Sequence, residues 1–365
     1  MRVLIAILLL GLCPAWAADW SVARPGWSYR FPADHGNHPD FKTEWWYFTG
    51  NVATAEGEKF GYQLTFFRQG VRRPGSAKMA SRFVVNDVKF AHFAVSDLAG
   101  SRFHHFQKFA RGAFGEAGFD EGDRIAWINS WTCERTGENG FRLRANEGGI
   151  AIDLELAAAK PPVIQGRNGV SQKSEGEGRA SHYYSLSRLE TRGTITLAGK
   201  THQVAGTSWF DHEWATNQLA AHQKGWDWFS LQLGDGTELM LFQIRTDDGK
   251  QDPHSAGTFV FEDGTDLKIG QAGFSLEPLA WWRSPKTGAN YPIEWRLEIR
   301  ALDLELTVTP SLKNQELDAA PFTYWEGAIH ADGTRKGQPV SAVGYLEMTG
   351  YAGRIPGMNQ VPEPE

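Results

Sequence analysis

The chain has 365 residues, two cysteines and a formal net charge of −6, with acidic and basic residues interspersed. No polybasic stripe offers itself to nucleic acid or to an anionic membrane surface, and no later apolar run approaches the length of a membrane-spanning helix. Tryptophan (15), phenylalanine (22) and glycine (40) are plentiful; many aromatics between many turns describe a β-protein with a large apolar interior or ligand cavity.

Residues 1–17 read as an export signal. Arg2 supplies the positive start, Val3 to Cys13 an apolar run too short to span a bilayer, and Ala15-Trp16-Ala17 a small-x-small cleavage site. The expectation is export and release into a bacterial periplasm, with a mature chain that begins near Ala18. That chain keeps Cys133 alone, so no internal disulfide can form and stability must come from a packed core.

FPADHGNH, 31–38, leads into EWWYFTGNVATAEGEKFGYQLTFFR, 44–68, which reads as two strands joined by a glycine-containing loop. Ala158 to Pro162 and the Gly/Glu/Ser-rich Lys173 to Gly178 read as exposed loops. Thr194 to Leu197 and His202 to Val204 alternate across Gly199-Lys200 as a hairpin. After WFDHEW, 209–214, comes GWDWFSLQLGDGTELMLFQIR, 225–245, again a hairpin, here turning through Gly234-Asp235-Gly236. Both hairpins open on aromatics and end on arginine (Arg68, Arg245), and an Asp-His pair precedes each (Asp34-His35, Asp211-His212). An internal duplication is therefore expected, with an N-terminal β-domain over 18–195 and a C-terminal one over 196–365. Short strands at regular spacing favour an all-β barrel or sandwich. The tail, 355–365, carries three prolines.

TSWFDHEW, 207–214, concentrates the chemistry. A carboxylate and an imidazole among Trp209, Phe210 and Trp214 would be partly desolvated, which raises an aspartate pKa and lowers a histidine pKa, both towards neutrality. The competing reading is a buried corner in which Asp211 accepts backbone N–H bonds and His212 packs on a ring. His35, His38 and Glu44, or His212, Glu213 and His222, lack a zinc signature, so no metal is expected. His104 and His105 are adjacent and point apart in a strand. No nucleophile elbow, Walker motif or dinucleotide fingerprint occurs, and no cofactor is expected. On Thr237 to Arg245, Gln243 and Arg245 share a face with Leu239 and Leu241, while Met240, Phe242 and Ile244 share the other; turned inward, the polar pair could orient a ligand. Asp227, where the first hairpin has Trp46, marks the second half as the better place to look for chemistry.

EWWYFTGN (44–51), AHFAVSDL (91–98), SHYYSLSRL (181–189), SWFDHEW (208–214), YWEGAI (324–329) and GYLEMTGY (344–351) together resemble the AttH/carotenoid 1,2-hydratase family over nearly all of the mature chain. The resemblance implies two tandem lipocalin-like antiparallel β-barrels. It also implies relatives described as secreted hydrolases, often associated with an ABC-type export system. In the hydratases water adds across an isoprenoid double bond without a cofactor, through a buried acid and a carbocation held on aromatic faces. Their His-x-Trp matches His212-Glu213-Trp214, preceded by Asp211. They also carry a tyrosine and an aspartate on the next strand but one, where this chain has Phe242, Gln243 and Arg245, none of which can protonate an alkene.

The expected function is thus binding of an amphipathic hydrophobic ligand, lipid or isoprenoid, with Glu44, Trp45, Trp214, Trp226, Asp227, Trp228, Gln243 and Arg245 around it. The alternative is a cofactor-independent hydratase, isomerase or hydrolase that works through Asp211 and His212.

Overall fold

The structure is a computed structural model and describes residues 20–73, 84–120, 122–319 and 321–354. The expected export signal and the proline-bearing tail lie outside the described residues. Almost all regular structure is strand, and no described helix is long and apolar enough to cross a membrane.

The first sheet is built from β1 (Thr43–Ala53), β2 (Lys59–Gly70), β3 (Asp87–Asp97), β4 (Arg102–Ala110), β5 (Ala117–Phe119), β6 (Arg124–Ile128), β7 (Trp131–Arg135), β8 (Gly140–Glu147), β9 (Ile150–Ala158), β10 (Val163–Ile164), β11 (Ser171–Gln172), β12 (Ala180–Leu197) and β13 (Lys200–Ala215). The second takes β14 (Gln223–Leu233), β15 (Glu238–Thr246), β16 (Ala256–Val260), β17 (Asp266–Gly270), β18 (Ser275–Arg283), β19 (Asn290–Ile299), β20 (Leu304–Pro310), β21 (Glu316–Leu317), β22 (Tyr324–Arg335) and β23 (Gln338–Met348). All named pairings are antiparallel, and each sheet curls around its own apolar core.

The strand orders agree. The first runs β4-β3-β2-β1-β13-β12-β9-β8-β7-β6-β5 and the second β17-β16-β15-β14-β23-β22-β20-β19-β18. In each, an opening hairpin (β1–β2, β14–β15) meets the last strand of its half (β13, β23) edge to edge. The fold is therefore two lipocalin-like half-barrels in tandem, related by duplication. The division expected at 195/196 falls inside β12. The long hairpin β12–β13, closed by Ala198-Gly199 with positive φ at both residues, supplies the first sheet's own closing strands. The first half therefore runs to Ala215, because an opening hairpin needs the last strand of the same repeat for its hydrogen bonds.

The two sheets pack face to face. Tyr47, Tyr183 and Trp209 from the first meet Trp228, Phe242, Ile244 and Tyr345 from the second in a third apolar cluster. Polar ties surround it. Gln232 Nε2 donates to the carbonyls of Ser187 (2.8 Å) and Ser208 (2.9 Å). Buried Glu238 takes Lys160 Nζ at 2.9 Å and Arg188 Nε at 2.6 Å. Gly61 lies directly against the second sheet: a Cβ there would lie 2.7 Å from Ala328 Cβ and from the Tyr345 hydroxyl. β1 and the last eight residues of β13 are thus covered on both faces, one by their own barrel interior and one by the other sheet, which is why their burial is almost continuous.

Candidate active site

Side chains alternate across a strand, and β13 shows what that does to Asp211 and His212. Trp209, Asp211 and Glu213 face the second sheet; Phe210, His212 and Trp214 face the interior of the first barrel. The neighbours in sequence therefore stand on opposite sides of the sheet and cannot act as one acid–base pair on a common substrate.

Between the sheets lies a partly open cleft that holds about 80 Å³ of free space for water-sized molecules. Its walls are mostly aromatic: Trp45, Tyr47, Phe67 and Tyr183 on one side, Trp226, Trp228, Phe242 and Phe322 on the other. Trp45 and Trp226 are half-buried at the mouth, and Trp228 and Phe242 are buried.

Three carboxyl groups line it: Glu213, which is paired with Lys173, and two more, Asp211 and Glu347. Asp211 is buried, and its Oδ1 accepts from Ser185 Oγ (2.5 Å) and Trp209 Nε1 (2.7 Å), its Oδ2 from the Tyr183 hydroxyl (2.6 Å). The Tyr183 oxygen in turn accepts from Trp228 Nε1 of the second sheet at 3.1 Å. Burial pushes the Asp211 pKa up to about 7 against those three donors, and the charge of Glu213 adds to the rise. Glu347 is the other. It accepts a hydrogen bond from Trp226 Nε1 and shares one with Glu326, its cross-strand neighbour. Burial, helped by the charge of Glu213, lifts Glu347 to about 7 as well. Glu326 is held well above the usual carboxyl range by burial and by the charge of Glu347, so it keeps its proton; it accepts from the Tyr47 hydroxyl of the first sheet at 2.8 Å.

The two acids are equivalent by duplication. Asp211 stands opposite Tyr47 and Ser185, and Glu347 opposite Trp228 and Glu326, on corresponding strands of the two repeats. Each acid is held by side chains of its own repeat, and one of those holders in turn meets the other repeat: Tyr183 accepts from Trp228, and Glu326 accepts from Tyr47.

Lys173 is the cleft's cation. The stretch from Lys173 to Gly178, expected as exposed, is buried at its start: Lys173 and Ser174 are covered. The Lys173 Nζ lies 3.3 Å from Glu213 Oε1 and 4.2 Å above the Phe242 ring, because the loop after β11 folds over the cleft edge.

The remaining expected site residues lie elsewhere. Glu44, His212 and Trp214 belong to a network inside the first barrel. Glu44 Oε1 meets His38 Nδ1 at 2.7 Å and His212 Nε2 at 3.0 Å, and Oε2 takes Arg68 Nε at 3.2 Å. His38 lies flat on Trp214, with centroids 3.7 Å apart. Burial by itself would raise Glu44, but the charge of His38, the hydrogen bonds from both histidines and the Arg68 guanidinium outweigh it and hold Glu44 well below the usual carboxylate range. Burial depresses His212; His38 rises despite burial because Glu44 and Asp34 flank it. Asp34 and His35 occupy a 3₁₀ turn, not a strand end, and Asp34 receives the Arg30 N–H at 2.6 Å. The two Asp-His pairs therefore have different surroundings and do not mark equivalent corners.

One donor atom each from His38, Glu44 and His212 lies within 4.8 Å of the others, close enough to invite a cation. The carboxylate itself occupies the middle of the set, with Arg68 as a further positive partner. These residues fit a carboxylate held by nitrogen donors better than a metal held by ligands.

Asp227, Gln243 and Arg245 face the second barrel interior. Arg245 Nε lies 3.0 Å from Asp227 Oδ2, the Tyr351 hydroxyl donates to Oδ1 at 3.0 Å, and the guanidinium stacks on the Tyr351 ring at 3.8 Å. Burial raises Asp227 against the opposing charge of Arg245. Of the expected residues, the cleft brings together Asp211, Trp45, Trp226 and Trp228. It adds Glu347, Tyr47, Tyr183 and Lys173, which sequence reasoning missed.

Two facing half-barrels with acid-bearing aromatic walls place the chain in the class of tandem lipocalin-like proteins. It belongs to the AttH-like family, whose model matches residues 22–351. The structure is similar to that of an AttH protein of Nitrosomonas europaea, with 35% identity and a TM-score of 0.82 over 91% of this chain and 99% of that one. It shares its fold with kievitone hydratase of Nectria haematococca, at 16% identity and a TM-score of 0.70 over 89% and 93% of the two chains. In sequence it is 20% identical over 240 residues to dehydratase asqC of Emericella nidulans, 61% of this chain and 64% of that protein's length.

Proposed function

We propose that this protein adds water to, or removes it from, a hydrophobic substrate held between the two sheets. The observation that carries this reading is a pair of buried carboxyls, Asp211 and Glu347, both titrating near neutrality and both facing one aromatic cleft. In the hydration direction protonated Asp211 gives its proton to one alkene carbon. The cation left on the other carbon is held on the indole and phenyl faces of Trp45, Trp226, Trp228 and Phe242. Water forms the new C–O bond, and Glu347 takes the proton that water releases. Dehydration runs the same steps backwards. The names of the hydratase and the dehydratase among its relatives support this direction of reading. The second acid missing from β15 is on this proposal supplied by β23.

His212 takes no part in this chemistry, since it faces the other way. A second reading, carriage of an amphipathic ligand without turnover, draws on Lys173, a buried cation at the edge of an apolar cleft and suited to an anionic end group. Arg245, bound to Asp227 inside the second barrel, does not fill that role.

The test is native mass spectrometry of wild type, Asp211→Asn and Glu347→Gln purified from the producing cell. The variants should retain a compound that differs by one water from what the wild type holds or releases. The same compound in equal yield in all three would establish carriage and sink the hydro-lyase reading. With the substrate in hand, the rate should fall above about pH 7 as Asp211 loses its proton and below it as Glu347 gains one. A periplasmic location, proposed from residues 1–17, is checked by the N-terminal sequence of protein from that compartment; association with an ABC-type exporter, proposed on family resemblance, is checked by co-purification.

A further inference from the structure

Glu326 stands beside Glu347 but does not line the cleft. The two are directly opposite on β22 and β23, so their side chains share a face, yet only Glu347 is a cleft wall and Glu326 is fully buried. The Tyr47 hydroxyl of the first sheet donates to Glu326 Oε1 at 2.8 Å. Glu326 Oε2 meets no N–H or O–H donor among the described residues, which leaves it for the hydrogen bond that the side chain shares with Glu347. Two carboxyl groups can share a hydrogen bond only through a proton that one of them carries. With Oε1 accepting from Tyr47, the Glu326 proton sits on Oε2 and points at Glu347. The donors therefore run one way, Tyr47 to Glu326 and Glu326 to Glu347, while Trp226 Nε1 donates to Glu347 from its other side.

We propose that Glu326 is a positioning residue for Glu347, a carboxylic acid that acts as a fixed hydrogen-bond donor and holds Glu347 as the anion that takes a proton from water. The inference rests on Glu347 as the base of the reaction and adds the group that keeps it one. An apolar site can keep a carboxylic acid neutral so that it donates in this way. The titratable groups around the pair are Tyr47, Asp211 and Glu213 from β1 and β13, and Tyr324 and Tyr345 from β22 and β23. Lys173 sits against Glu213. Burial and the charge of Glu213 push Glu347 up, and the hydrogen bonds from Trp226 and Glu326 oppose them.

NMR of protein labelled at the glutamate carboxyl carbon follows the ionisation of Glu347, whose signal is assigned by its loss in Glu347→Gln. Glu326→Gln keeps an acceptor for Tyr47 and an N–H donor for Glu347, so Glu347 should titrate there as in wild type, at about 7. In Glu326→Leu the donor is gone, and the midpoint should rise by about one to two pH units, the effect of one hydrogen bond to a charged group. Tyr47→Phe keeps the ring and leaves the Glu326 proton undirected, so it should give a smaller rise; it decides the matter if Glu326→Leu does not fold. A displaced midpoint in Glu326→Gln would overturn the proposal, a fall meaning that Glu326 shares the negative charge instead of donating to it. So would an unchanged midpoint in Glu326→Leu or, where that variant does not fold, in Tyr47→Phe. The titration needs no substrate, so its failure is distinct from a failure of Asp211 and Glu347 to turn a substrate over.

Discussion

Asp211 is the residue on which the chemistry turns, and its environment makes a prediction that needs no substrate. Its folded pKa of about 7 stands above the ordinary 3.8. A carboxyl with a raised folded pKa contributes stability that is fully present below the unfolded pKa and is lost as pH rises through the folded one. The loss therefore builds between about pH 4 and pH 7. A rise from 3.8 to about 7 corresponds to about 4 kcal/mol as an upper figure. Asp211→Asn cannot titrate, so its stability relative to wild type should improve across that window. Urea denaturation of both proteins at pH 5 and pH 8 measures the change, and parallel pH profiles would show that Asp211 is not strained by burial. The rise in Asp211 and the depression of His212 were both legible in WFDHEW, because aromatic neighbours imply desolvation. Glu347 was not: the repeats were aligned on their Asp-His pairs, so the match of SWFD with GYLE, strand for strand, was hidden.

The element that decides the site is β13, with its period of two. That Asp211 and His212 point apart follows from their adjacency in a strand. Which of them meets substrate does not, since Trp209 makes one face as apolar as Phe210 and Trp214 make the other. Only the second sheet, stacked on the Asp211 face, resolves it. His212→Gln should accordingly cost stability, about 1–3 kcal/mol, because Glu44 and the Asp34 carbonyl lose a buried partner. It should leave the compound trapped by the cleft unchanged. Thermal unfolding and native mass spectrometry of this variant check both halves; loss of conversion in a fully stable His212→Gln would return the histidine to the mechanism. The same two-sided burial explains the misplaced domain boundary. The strands β5 to β11 lie in the chain between the opening strands of the first half and the hairpin β12–β13 that completes them, and no local signal in 180–215 says to which half a hairpin belongs.

For the molecule as a whole, the cleft exists because two repeats dock at a set distance. The all-β class, the duplication and the aromatic opening hairpins were readable from glycine spacing and strand patterning; the docking was not, since it depends on which outer faces meet. Gly61 is the gauge of that distance. Gly61→Ala places a methyl group 2.7 Å from Ala328 Cβ and the Tyr345 hydroxyl, and overpacking of this kind costs about 1–3 kcal/mol. Because the clash lies between the sheets, the variant should lose stability and bind the compound that co-purifies with the wild type more weakly, as native mass spectrometry would show. Unchanged affinity alongside lost stability would mean that the cleft is set by one sheet alone.

Each cleft acid accepts a hydrogen bond from an indole: Trp209 on Asp211 and Trp226 on Glu347. Indole emission responds to a charge placed at its ring nitrogen, so the ionisation of either carboxyl is written into the protein's own fluorescence. Trp209 is buried and Trp226 half-exposed at the mouth, so a collisional quencher in the solvent reaches the second and not the first. Each of the two acids therefore has its own optical indicator, one shielded and one accessible, and the differences made by Trp209→Phe and Trp226→Phe separate their signals from those of the other tryptophans among the fifteen.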